Sequence, residues 1–227
     1  MNNKISYCLI FFIILFLLVN RSFASTQPDG AYITYYENGQ KNIQGTYKAG
    51  NQDGIWIWWN RNGSLFQQID FKNGKAHGLW IIWYENSQKN IEAHYQNGIL
   101  EGRSSWWYEN GQKESEGDYK NQQREGDWLW WYANGNKKIA GHYTDAQKQG
   151  QWYWWYENGA KQQQSYFKDD QLEGIWITWY KNGQKQEEGR YKNNEKQGIW
   201  FSWNEQGKQL MKSTYKNGYL TAVEQDN

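Results

Sequence analysis

"WWYENGQK", Trp106 to Lys113, sets two of the largest apolar side chains directly against a tight polar turn. Near copies recur as "WYENSQK" (83–89), "WWYANGNKK" (130–138), "WWYENGAK" (154–161) and "WYKNGQK" (179–185). Adjacent tryptophans in a strand point to opposite faces, and Asn-Gly is the strongest short-range hairpin signal. The stretch therefore reads as a strand that must cover both of its faces and then turn sharply back.

Working outward, each aromatic cluster is preceded by a glycine, at Gly30, Gly54, Gly78, Gly102, Gly126, Gly150, Gly174 and Gly198, always 24 residues apart. Self-similarity at a fixed period marks a repeat array, in which each unit buries its apolar surface by stacking on its neighbours. All 17 tryptophans fall at three places in the unit. The second place after the glycine holds Trp56, Trp80, Trp128, Trp152, Trp176 and Trp200. The fourth holds Trp58, Trp106, Trp130 and Trp154. The fifth holds Trp59, Trp83, Trp107, Trp131, Trp155, Trp179 and Trp203. The second half of each unit alternates with period two, as in "EGDYK" and "EGRYK", which is the pattern of a returning strand.

If Asn-Gly forms a two-residue type I′ turn, Trp128 pairs with Gly141 and Gly126 pairs with Tyr143. An aromatic then stands across from a glycine in both pairs, so that a ring can cover bare backbone. A three-residue loop with a bulge is the alternative, and it is expected to flip this assignment, because a one-residue slip moves every side chain to the other face. Pro28, the only proline, precedes the first unit, as a sheet requires. Sixteen strands about 4.8 Å apart make a ribbon roughly 75 Å long if it stays open. The first unit replaces tryptophan with Tyr32, Thr34 and Tyr35, and Ala222 stands where a ninth glycine would fall, as capping of the ends predicts.

"GLWIIWYENSQKNIEAHYQNG" and "GIWITWYKNGQKQEEGRYKNN" resemble the MORN-variant repeat of bacterial proteins, including the YwqK-type antitoxin family. The resemblance extends from Gly30 to about Gly218. It implies an all-β fold, an elongated antiparallel sheet of eight 24-residue hairpins, used as a scaffold or interaction surface. Eukaryotic MORN repeats are linked to membrane lipids, which the charge of this chain does not favour.

The expected organisation is a signal peptide over 1–24, a short leader over 25–29, eight repeats over 30–221 and a polar tail over 222–227. Lys4, the apolar run from Leu9 to Val19 and Ser22-Phe23-Ala24 are the signal-peptide features, with an uncleaved anchor as the alternative reading. Cleavage would leave 23 basic against 24 acidic residues, a net charge of −1. A chain so balanced lacks the basic surplus expected of a nucleic-acid binder or of a protein held to anionic lipid. It would also lose Cys8, its single cysteine, so disulfides would not staple it.

Chemistry is sparse. His94 and His142 share a repeat position two units apart, roughly 19 Å by strand spacing, which is too far for a common metal. No arrangement of Ser, His and acid suggests a triad. Glu37, Glu85, Glu109, Glu157 and Glu205 recur in one turn-flanking slot, whereas paired catalytic carboxylates need unlike environments. Lys41, Lys89, Lys113, Lys137, Lys161 and Lys185 form a column that keeps an aromatic sheet soluble, or grips an anionic polymer. The expected protein is non-enzymatic, without cofactor or metal, and exported to the periplasm or beyond. Its candidate binding residues are the fifth-place column, Trp59, Trp83, Trp107, Trp131, Trp155, Trp179 and Trp203. A protein partner is the first expectation. A cell-envelope glycan, or a toxin recognised by an immunity protein, is the alternative.

Overall fold

The computed structural model describes residues 27–225, so the expected signal peptide lies outside the described residues. It contains 17 strands and no helix: β1 Gly30–Tyr35, β2 Lys41–Lys48, β3 Asn51–Trp59, β4 Leu65–Lys72, β5 Lys75–Trp83, β6 Lys89–Gln96, β7 Ile99–Trp107, β8 Lys113–Lys120, β9 Gln123–Trp131, β10 Lys137–Thr144, β11 Gln147–Trp155, β12 Lys161–Lys168, β13 Gln171–Trp179, β14 Lys185–Lys192, β15 Glu195–Trp203, β16 Gln209–Lys216 and β17 Tyr219–Gln225. Each strand pairs antiparallel with its neighbours in sequence, giving one open meander. The segment expected as a polar tail is partly strand, because β17 continues through Gln225 against β16.

The expected register is present, but not through the expected turn. Trp128 faces Gly141 and Gly126 faces Tyr143. Yet the loop is three residues long. The Gly135 amide donates to the Tyr132 carbonyl at 2.9 Å, and the Tyr132 amide to the Asn136 carbonyl at 2.8 Å. Gly135 alone is left-handed, with φ of 87°, whereas a type I′ turn needs positive φ at both central residues. That loop would shift the pairing by one. A bulge restores it: Trp131 faces Lys137, Trp130 faces Ile139, and Lys138 is left over. The type I′ turns occur instead between hairpins, as at Asp145 and Ala146, with φ of 49° and 64°.

The glycines also work differently from the expectation. A Cβ on Gly126 would touch nothing within 4 Å, so no ring lies on it, and its φ of 71° is what demands glycine there. A Cβ on Gly141 would fall inside the ring of Trp152, in the following repeat, rather than against its paired Trp128. Between β10 and β11 the register shifts by two residues, so that Gly141 alone faces Gly150, Gln151 and Trp152. Tryptophan therefore fastens this hairpin to the one before it. Trp56 lies on Gly45, Trp128 on Gly117 and Trp200 on Gly189 in the same way.

Trp56, Trp128, Trp152 and Trp200 are all at most 2% exposed. Around Trp152, Tyr143 stands edge-on at 5.0 Å, Phe167 edge-on at 6.1 Å, and Trp154 is tilted at 5.9 Å. Edge and offset contacts of this kind are the favourable aromatic geometries. This face, called the packing face below, holds the second- and fourth-place tryptophans and supplies the core of a sheet one layer thick.

Candidate functional site: the aromatic and lysine face

The fifth-place tryptophans lie on the opposite face. Trp59, Trp83, Trp107, Trp131, Trp155, Trp179 and Trp203 are all half-buried. Third-place residues share this face, as the tilted contacts of Tyr153 with Trp155 at 5.8 Å and of Phe201 with Trp203 at 5.9 Å show.

The lysine column sits on these rings. Lys41 lies 5.4 Å over Trp59, Lys89 5.7 Å over Trp107, Lys113 6.0 Å over Trp131, Lys137 6.0 Å over Trp155, Lys161 5.7 Å over Trp179 and Lys185 5.8 Å over Trp203. Each lysine belongs to the repeat before the tryptophan it covers, so the cation–π contact also joins neighbours. Lys89, Lys113 and Lys185 are held in turn by Glu92, Glu116 and Glu188. Trp83 differs: the place of its lysine is taken by Leu65, which is 37% exposed. Ile33 and Ile55, at 43% and 55% exposed, add exposed apolar surface near it on this face.

Two further ladders run along the turns. The hydroxyls of Tyr36, Tyr84, Tyr108, Tyr132, Tyr156 and Tyr180 donate to the carbonyls of Trp59, Trp107, Trp131, Trp155, Trp179 and Trp203, at 2.7 to 2.9 Å. Asn38, Asn86, Asn110, Asn134, Asn158 and Asn182 donate to carbonyls one repeat on. The recurrent "YENG" reads from sequence as turn chemistry alone. Its Tyr and Asn also tie the repeats together through the carbonyl at or just beyond the fifth place. Burial raises the phenol pKa of Tyr108 and of Tyr132, with neighbouring carboxylates adding to the rise.

A sequence model described as MORN repeat variant matches residues 28–49, 52–73, 76–97, 100–121, 124–145, 148–169 and 172–193. These seven matches cover well over half of the chain. The chain belongs to the MORN repeat variant family. No curated protein matches it significantly. The β15–β16 hairpin lies beyond the seventh MORN match and keeps the same pairing, Gly198 to Tyr215 and Trp200 to Ser213.

The remaining candidates do not converge on these MORN faces. Glu37, Glu85, Glu109, Glu157 and Glu205 are all exposed, and the backbone carbonyls of Glu109, Glu157 and Glu205 are what the asparagine ladder uses. His142 pairs with Asp127 at 2.8 Å and His94 with the Arg103 carbonyl at 3.0 Å, so each is held locally. Among the described residues, no three His, Cys, Asp or Glu groups are placed to hold a metal ion.

Proposed function

We propose that this MORN repeat protein is an exported, non-enzymatic scaffold that binds a protein partner through its aromatic and lysine face. The observation that carries this reading is the lysine over six of the seven column rings. A sugar stacks on an open ring face, and these faces are already occupied by cations of the same chain. What remains outward is a flat array of ring edges, ammonium groups and carboxylates, which is the mixture a protein interface uses at its rim. The exposed apolar side chains of Ile33, Ile55 and Leu65 supply the apolar contact that such an interface needs.

Export rests on the first 24 residues, whose charge, apolar run and small residues match a cleaved leader. The test is affinity capture from the envelope fraction with the wild type and with Ile55→Asp and Leu65→Asp. Both side chains are more than one-third exposed, so the variants should fold, and each should lose the captured protein. Capture unchanged by both variants, or binding to purified cell wall that Trp131→Ala and Trp155→Ala weaken, would replace the protein-partner reading with the glycan one.

A further inference from the structure

The packing face carries a site that lies outside the proposed interface. In repeat six, Trp152, Trp154 and Phe167 form three walls around the Lys148 ammonium, which lies 4.9, 5.9 and 4.9 Å from their ring centres. Burial lowers the Lys148 pKa, partly offset by Asp170, and the side chain is half-buried. In repeat five the same place is filled by Arg124, at 4.7 Å from Trp128, 5.7 Å from Trp130 and 5.5 Å from Tyr143. In repeat eight Lys196 lies 3.8 Å over Trp200.

Repeat two builds the same walls without the cation. Trp56 and Trp58 are 6.0 Å apart at 34°, against 5.9 Å at 33° for Trp152 and Trp154. Trp56 and Phe71 are 6.4 Å apart at 78°, against 6.1 Å at 76° for Trp152 and Phe167. The residue in the place of Lys148 is Gln52, half-buried and neutral. Among the described residues no cation lies over Trp56, Trp58 or Phe71, although Trp56 stands to Trp58 and Phe71 as Trp152 stands to two of the rings around Lys148.

We infer that the cage of Trp56, Trp58 and Phe71 binds an alkylammonium group supplied from outside the chain, with Gln52 swinging aside as a neutral, flexible cover. The chemistry is that of a cation desolvated against aromatic faces, which the protein already performs on itself in repeats five, six and eight. The group comes either from a small quaternary ammonium compound or from a lysine side chain of another protein.

The experiment follows the indole N–H signals of Trp56 and Trp58 by NMR, assigned by Trp→Phe variants, during titration with tetramethylammonium, with tert-butanol as a neutral analogue, and with a lysine-rich peptide. The expected result is saturable shifts of these two indoles by at least one of the two cations, and none by tert-butanol. Gln52→Lys places an internal cation in the cage and should weaken binding at least about tenfold. Lys148→Gln empties the repeat-six cage and should add a second site, read at Trp152 and Trp154. Response to tetramethylammonium alone identifies a small ligand, and response to the peptide alone identifies a partner lysine. No saturable shift with either cation, an equal response to tert-butanol, or binding unchanged by Gln52→Lys would overturn the inference.

Discussion

The junction between repeats five and six and the junction between repeats two and three share the same two-residue register shift, placed one residue apart, and have different fastenings. At the former, Trp152 lies flat on Gly141, the Tyr132 hydroxyl reaches the Trp155 carbonyl at 2.8 Å, Asn134 reaches the Glu157 carbonyl at 2.9 Å, and Lys137 covers Trp155. At the latter, Ile69 stands opposite Trp80, which is 8% exposed rather than 2%. Asn60 occupies the tyrosine place and bonds Ser64, Asn62 accepts from Ser64, and Leu65 occupies the lysine place. Four separate devices change at one junction. Backbone pairing makes the ribbon continuous, and side chains at repeat positions decide how firmly each hairpin holds the previous one.

That contrast can be broken most strongly at the glycine. Gly141→Ala drives a methyl group into the Trp152 ring, and overpacking of this kind costs about 3 kcal/mol. Ser165→Ala in the equivalent place of repeat six should cost only about 1 kcal/mol, because that site already accommodates a Cβ opposite Trp176 and what is lost is the bond that Gln163 Nε2 donates to the Ser165 hydroxyl at 2.8 Å. Denaturant unfolding of the two variants checks the difference, and equal losses would mean that the ring–glycine contact does not govern the junction. The weak junction can be strengthened in turn. Asn60→Tyr should let a hydroxyl reach the Trp83 carbonyl and stabilise the array by about 1 kcal/mol, read as slower amide exchange in β4 and β5.

The smallest expected effect is one of pH. Burial raises the Tyr132 pKa above that of an unfolded tyrosine, so its contribution is complete below pH about 10 and declines as the pH rises through the folded value. Deprotonation also removes the donor to Trp155. Amide protection near Trp155 should therefore fall in alkali before protection near Trp83, where Asn60 replaces the tyrosine. Simultaneous loss at both places would show that the ladder adds nothing specific to its junctions.

The pairing, the two faces and sixteen of the seventeen strands were legible because glycine and tryptophan fall in strict columns, whereas β17 lies where the columns stop. Trp128 and Gly141 can be paired by counting alone. The route to that pairing was not legible, since a two-residue turn and a three-residue loop followed by a bulge arrive at the same register. The φ of Asn134 separates the two, positive in a type I′ turn and not positive here, and an Asn-Gly dipeptide permits either. Nor could counting show that Trp152 reaches back to Gly141, because the two-residue register shift between β10 and β11 depends on the positive φ of Gly150. The lysine caps were present in sequence as a column, but that each lysine covers the ring of the next repeat is a matter of side-chain reach across strands.

If the second-place tryptophans supply cohesion and the fifth place serves the proposed interface, the two columns should differ sharply in what their loss costs. Equilibrium unfolding of Trp152→Ala and Trp155→Ala, side by side, tests that division most directly. Trp152 is fully buried between glycine and four rings, and its loss should cost about 4 kcal/mol. Trp155 is half-buried under a lysine, and the Tyr132 bond uses its backbone carbonyl, so its loss should cost about 1 kcal/mol. Equal destabilisation by the two substitutions would contradict the account, because both faces would then be holding the ribbon together.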